Sequence, residues 1–119
     1  KTALDKKKYY IFGYKGKQVR DNIHSYDVVN CFWHFFKKPR IGQIYNMGGG
    51  RKSNCSSIEA INTIYKLTGI SIKKDLKKQN RVGDHIWYVS NMKKFKNHYP
   101  KWKQIYNSEK IIDELLSSR

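Results

Sequence analysis

A mixed α/β fold is predicted for this 119-residue chain by three observations. Short runs of β-formers, the first being YYIF at 9 to 12, alternate with longer apolar segments of helical length. Helix limits are chemically marked, by Ser56 with Glu59 three residues on, by Pro39 and by Gly69. The length suits one domain or part of one, able to bury roughly two-thirds of the surface its unfolded chain exposes.

In order, YYIF is a strand bounded by Gly13, and GYKGK reads as a turn into a second extended stretch, 18 to 24. Ser25 can cap a helix that runs to about Lys38 and stops at Pro39. Val28, Phe32, Phe35 and Phe36 form one face of it, and Val29, Cys31 and Trp33 widen that face, so this helix needs cover on more than one side. GQIYNM, 42 to 47, is predicted as a strand, followed by the loop GGGRKSNC. A capping box of Ser56 and Glu59 opens a helix with Ile58, Ile61, Ile64, Tyr65 and Leu67 on its apolar side, and Gly69 ends it. SIKKDL, 71 to 76, alternates like a strand with one wet face. A polar stretch, a strand-like IWYV, a small helix near 92 to 97, a Tyr-Pro-x-Trp stretch at 99 to 102 and a last helix from 108 to 117 complete the chain. No internal repeat or low-complexity linker interrupts it.

The formal charge of +16 and the pI near 9.9 raise nucleic acid as a partner. Only five of the 25 basic residues are Arg, however, and the Lys are scattered along the whole chain. Nucleic-acid readers favour Arg and concentrate charge on one face, so a solvated Lys-rich surface is the better reading. A small basic nucleic-acid-binding module stays as the alternative from another class. The apolar run from Val28 to Phe36 is broken by Asn30 and His34 and is far shorter than the roughly 20 residues of a membrane span. No secretory leader is legible at the N-terminal end, so a cytoplasmic setting is expected, with Cys31 and Cys55 as thiols. His24, His34, His85 and His98 match no zinc spacing, and no metal is expected.

Two catalytic patterns fail on inspection. Tyr106 and Lys110 have Tyr-x-x-x-Lys spacing, but Tyr106 precedes the predicted helix, so the two side chains would not share a helical face. Gly48-Gly49-Gly50 stands between a strand and a helix as a phosphate cradle would, without G-x-G-x-x-G spacing or an acidic residue about 20 positions on. Better chemistry lies at Arg20, at the end of an extended segment, and at Arg81 and Asp84 in the Gly-bearing loop NRVGDH. A guanidinium fork suits a pair of phosphate oxygens, and a nearby carboxylate can accept from ribose hydroxyls. Local ion pairs, Arg20 with Asp21 and Arg81 with Asp84, are the plainer alternative.

GYKGKQVRDNIHSYDVV, then YNMGGG with SSIEAI, then NRVGDHIWYVSNMKKF followed by YPKW, resemble in that order the C-terminal part of the extended short-chain dehydrogenase/reductase family of nucleotide-sugar epimerases and dehydratases. The likeness runs from about Tyr9 to Leu116. It implies an NAD-dependent isomerase of two parts: a Rossmann domain holding NAD and the catalytic Tyr/Lys pair, and a smaller C-terminal portion closing over the nucleotide-sugar. It also implies that Arg20 and Arg81 hold the substrate diphosphate and Asp84 the ribose, that the helix from Ser25 packs on the dinucleotide-binding domain, and that 42 to 47 joins the edge of its sheet.

Asn91 stands where relatives often carry Asp. More consequential, the Gly-rich dinucleotide loop and a Tyr/Lys pair in the right context are missing from this sequence. The Rossmann domain is thus expected to be largely absent, leaving a single substrate-binding portion over 1 to 119 that neither binds NAD nor turns over substrate alone. With the helix from Ser25 left uncovered, self-association into a homo-oligomer is expected.

Overall fold

The computed structural model describes residues 2–80 and 82–118. Two small sheets are flanked by helices. In the first, β1 (Tyr9–Phe12) runs parallel to β4 (Lys74–Lys77), with Tyr9 opposite Lys74 and Phe12 opposite Lys77. In the second, β2 (Val19–Asp21) lies between β3 (Asn54–Ser56), antiparallel to it, and β5 (Trp87–Tyr88), parallel to it. Four helices follow the chain: α1 (Ser25–Lys37), α2 (Ser57–Thr68), α3 (Lys93–His98) and α4 (Ser108–Ser117). The mixed α/β class expected from the sequence is the one found. None of the helices is long and apolar enough to cross a membrane, among the described residues.

Signals that act within one turn set the ends of α2. Ser56 Oγ accepts from the Glu59 N–H and the Glu59 carboxylate from the Ser56 N–H, the capping box that opens α2. Gly69 closes α2 in the left-handed conformation, with φ of 69°. The cap of α1 is different from the one expected: His24, not Ser25, precedes the first turn, and its Nδ1 accepts from the Tyr26 N–H. Asn91 Oδ1 accepts from the Lys93 N–H at the start of α3, so the amide still serves the helix entrance where relatives often carry Asp.

The strand predicted at 42 to 47 is not formed. Tyr45 and Met47 turn inward and Ile44 and Asn46 outward, the alternation the sequence announces, yet no described strand lies alongside to complete a ladder. A strand is defined by its partner as much as by its residues. Conversely β3 forms inside a segment read as loop, because Asn54, Cys55 and Ser56 lie against the edge of β2.

The core cluster is Cys31, Met92, Phe95, Tyr99 and Trp102, with Tyr45 and Met47 packed on it. Burial pushes the Cys31 thiol up to about 12, with the neighbouring Asp27 charge adding to the effect. The buried stripe of α1 is Asp27 and Cys31, while its aromatic face, with Phe32 63% and Phe36 72% exposed, points away from that cluster and is left uncovered.

Candidate functional site

Arg20 and Asp84 meet. β2 carries Arg20 to the centre of the three-stranded sheet, where its Nη2 donates to Asp84 Oδ1 in the loop entering β5, and its Nη1 donates to the Val19 carbonyl at 2.8 Å. The two residues are 64 positions apart in sequence, and neither of the local pairs considered from spacing includes this contact. Arg20 does not pair with Asp21. About a third of the Arg20 side chain and a fifth of the Asp84 side chain remain exposed, so the pair is reachable from outside. A guanidinium has five N–H donors, and two of Arg20's bonds to described residues are accounted for by Val19 and Asp84. Arg81 lies outside the described residues.

Arg20 and Asp84 line a cleft of about 550 Å³, within the size range of small-molecule sites. Gln18, Asn22 and Ser57 contribute further polar groups, and Ile61 of α2 and Leu115 of α4 contribute apolar surface. This is a chemically mixed wall: one cation, one carboxylate acceptor, amides and hydroxyl beside aliphatic side chains. It suits a ligand that is anionic at one end and carries hydroxyls and flat apolar surface elsewhere. Gln18 and Asn22 flank the Arg20-Asp21 pair in sequence, so alternation along β2 could have found Gln18, two residues from Arg20 and thus on the same strand face. Cys55 also lines the cleft, with the Asn22 amide 3.7 Å from its Sγ, and burial raises its thiol above the ordinary range.

The patterns set aside in the sequence stay aside for structural reasons. Tyr106 precedes α4 and its ring lies flat on His24, with centroids 3.9 Å apart. The Glu114 carboxylate beside it, then burial, pushes its phenol pKa up, the opposite of what a proton-transfer tyrosine needs. The glycine triplet is buried and woven into the protein rather than open to a phosphate. Its Gly50 N–H donates to Asp21, and the Gly49 carbonyl accepts from Gln104. These residues do not fit a dinucleotide's diphosphate. Among the described residues, no group of three or more His, Cys, Asp and Glu is placed to hold a metal ion.

Comparison with solved structures places this architecture. UDP-glucuronic acid 4-epimerase from Bacillus cereus, solved with UDP-glucuronic acid and NAD, is 22% identical, with a TM-score of 0.80 over 94% of this chain and 35% of that one. dTDP-glucose 4,6-dehydratase from Bacillus anthracis, in complex with NAD, is 28% identical, with a TM-score of 0.76 over 95% of this chain and 34% of that one. UDP-glucose 4-epimerase from Thermotoga maritima, with UDP-glucose, is 22% identical, with a TM-score of 0.78 over 93% and 34%. No protein-family model matches the chain. No curated protein matches it either.

The fold is that of one part of the extended short-chain dehydrogenase/reductase structures whose members are nucleotide-sugar epimerases and dehydratases. The chain spans about a third of the length of the structures it matches.

Proposed function

We propose that this chain is the nucleotide-sugar-binding portion of an NAD-dependent nucleotide-sugar epimerase. The finer reading is a 2-epimerase of the CDP-paratose/CDP-tyvelose type, which the ordered motifs around Arg20, Gly48 and Arg81 resemble. A 4-epimerase or a 4,6-dehydratase fits the same fold equally well. The observation that carries the reading is the meeting of Arg20 and Asp84 in one cleft. A guanidinium fork there serves the diphosphate, and the carboxylate serves a ribose hydroxyl. Arg81, three residues before Asp84 in sequence, is the second residue we propose for the diphosphate.

NAD belongs to another part of the protein, since the glycine triplet of this chain is committed elsewhere. Two features support a docked dinucleotide-binding part. The face of α1 with Val29, Phe32, Trp33 and Phe36 is exposed, and 42 to 47 alternates as an edge strand would without a neighbour to pair with.

The test is NMR titration of the protein with CDP-glucose, UDP-glucose, dTDP-glucose and duplex DNA of arbitrary sequence. Nucleotide-sugars are expected to shift the signals of Gln18, Arg20, Asn22 and Asp84, with the CDP compound strongest. A response to DNA alone, falling steeply with salt, would make the nucleic-acid module the better reading.

A further inference from the structure

The Asp21 carboxylate does something that neither its sequence position nor the proposed substrate contacts anticipate. A single oxygen, Oδ2, accepts from two backbone N–H groups on separate stretches of chain: Gly50 at 2.9 Å and Ser90 at 3.0 Å. Asp21 is the residue after Arg20 and ends β2. Ser90 follows β5, the strand entered from Asp84. Gly50 closes the triplet and opens the short turn leading to β3. One carboxylate oxygen therefore joins the strand carrying Arg20 to both of its neighbours, and one of those neighbours carries Arg20's own partner.

The approach is close enough to dictate the glycines. A Cβ on Gly48 would lie 2.3 Å from Asp21 Oδ2 and 2.3 Å from Ser90 Oγ. A Cβ on Gly49 would lie 2.0 Å from the Asn22 carbonyl oxygen and 2.4 Å from that of Ser53. A side chain at Gly48 requires the Asp21 and Ser90 side chains to give way, and one at Gly49 requires the backbone to move. The neighbouring bond from the Asn22 N–H to the Ser53 carbonyl, at 2.7 Å, continues the same junction.

We infer that Asp21 is a positioning residue that sets the Arg20 guanidinium against Asp84 by pinning Gly50 and Ser90 to the end of β2. It touches no ligand itself. β2 and β5 share only two paired positions, Val19 with Trp87 and Arg20 with Tyr88, so the ladder alone is too short to hold the register of the Arg20 strand against the Asp84 loop. The Asp21 bonds lie one residue beyond the last pair and lock it. The inference rests on the nucleotide-sugar reading of Arg20 and Asp84 for its consequence, though not for the latch itself.

The chemistry selects the test. Because one oxygen takes both bonds, an amide oxygen can replace it, so Asp21→Asn should keep the latch and Asp21→Ala should lose it. Two measurements on the protein separate the latch from the ligand. In the absence of ligand, Asp21→Ala should accelerate hydrogen exchange at the Gly50 and Ser90 amides and broaden or shift the Arg20 guanidinium signals, and Asp21→Asn should leave all three near the parent. Unchanged Arg20 signals in Asp21→Ala overturn the inference, whatever CDP-glucose does. With CDP-glucose as the probe, Asp21→Ala should weaken binding about tenfold or more and Asp21→Asn under about threefold.

A double-mutant cycle with Arg20→Ala decides whether the effect runs through Arg20: the loss from Asp21→Ala should nearly vanish in the Arg20→Ala background. Full additivity of the two losses refutes the positioning role. If the parent shows no response to any nucleotide-sugar, the substrate reading fails while the Arg20 signals in the ligand-free variants still judge the latch. Should Asp21→Ala fail to fold, Gly48→Ala supplies the second route, because its Cβ enters between Asp21 and Ser90; it should disturb the Arg20 signals in the same direction, and an undisturbed Arg20 there counts against the inference.

Discussion

The indole of Trp102 donates to the backbone carbonyl of Asp27 at 3.3 Å, and Asp27 answers with its carboxylate, accepting from the Ile105 N–H at 2.8 Å and the Tyr106 N–H at 3.0 Å. Both residues are buried, Asp27 completely. This joins the first turn of α1 to the segment leading into α4, 75 to 79 residues further along.

Truncating Asp27 should therefore be among the most damaging changes in the chain. Asp27→Ala leaves the part-buried Ile105 and Tyr106 N–H groups without their acceptor, for a loss of about 2 to 3 kcal/mol, and Asp27→Asn, with one acceptor oxygen, should lose roughly half as much. Urea denaturation of the two variants checks the order. Equal stability of parent and Asp27→Ala would contradict the junction.

Arg20→Ala should weaken nucleotide-sugar binding by about 2 to 5 kcal/mol, or roughly 30-fold to several thousand-fold, if the guanidinium holds the diphosphate. Arg81→Ala is expected to do likewise, and Arg20→Lys should also lose affinity, since a point charge does not replace a fork. Lys77→Ala and Lys78→Ala should matter little. Calorimetric or NMR affinities for CDP-glucose within about threefold of the parent for both Arg→Ala variants, under about 1 kcal/mol, would remove these residues from the site.

Glycine substitutions separate packing from backbone strain. Gly49→Ala must push Cβ into the Asn22 and Ser53 carbonyl oxygens and should cost several kcal/mol, by analogy with overpacked cores at about 1 to 3 kcal/mol and more where backbone must move. Gly42→Ala meets nothing within 4 Å and suffers only its φ of +71°, a penalty of about 1 to 2 kcal/mol. Thermal denaturation should rank Gly49→Ala well below Gly42→Ala.

Stability should fall with acid in a window set by His98. Burial, then the Arg40 and Lys94 charges, hold its pKa below the ordinary 6.5, and the Tyr45 hydroxyl lies 2.7 Å from Nδ1, a bond the neutral ring accepts. Above 6.5 the ring is neutral in both folded and unfolded chains, so its contribution is fully present. As pH drops, the unfolded chain takes up the proton first, and the contribution is lost through the lowered folded value. His98→Gln should flatten the stability profile in this window. An unchanged slope between pH 7 and about 5 would show that His98 is not responsible.

The exposed α1 face makes association measurable. Analytical ultracentrifugation of the chain should show concentration-dependent self-association, reduced by Phe32→Glu with Phe36→Glu. A clean monomer at high concentration would argue against an adhesive face.

What the sequence by itself determined is local. The capping box of α2, the Gly69 stop and the limits of α4 are legible because each depends on groups within a turn, and Arg20 and Asp84 stand out by side-chain chemistry alone, though not their contact. Tertiary structure decided the rest. Arg20 turns to Asp84 rather than to the adjacent Asp21 because successive side chains on a strand point to opposite faces, and β5 lies beside Arg20 while Gly50 and Ser90 lie beside Asp21. The buried stripe of α1 is Asp27 and Cys31, since α3 and the Tyr99–Trp102 turn pack there, with Phe35 at its margin 6.4 Å from the Tyr99 ring and the rest of the aromatic face exposed. Segment 42 to 47 keeps its alternation without becoming a strand, and β3 becomes one without announcing it, because a ladder exists only where a second strand supplies the other half of its hydrogen bonds.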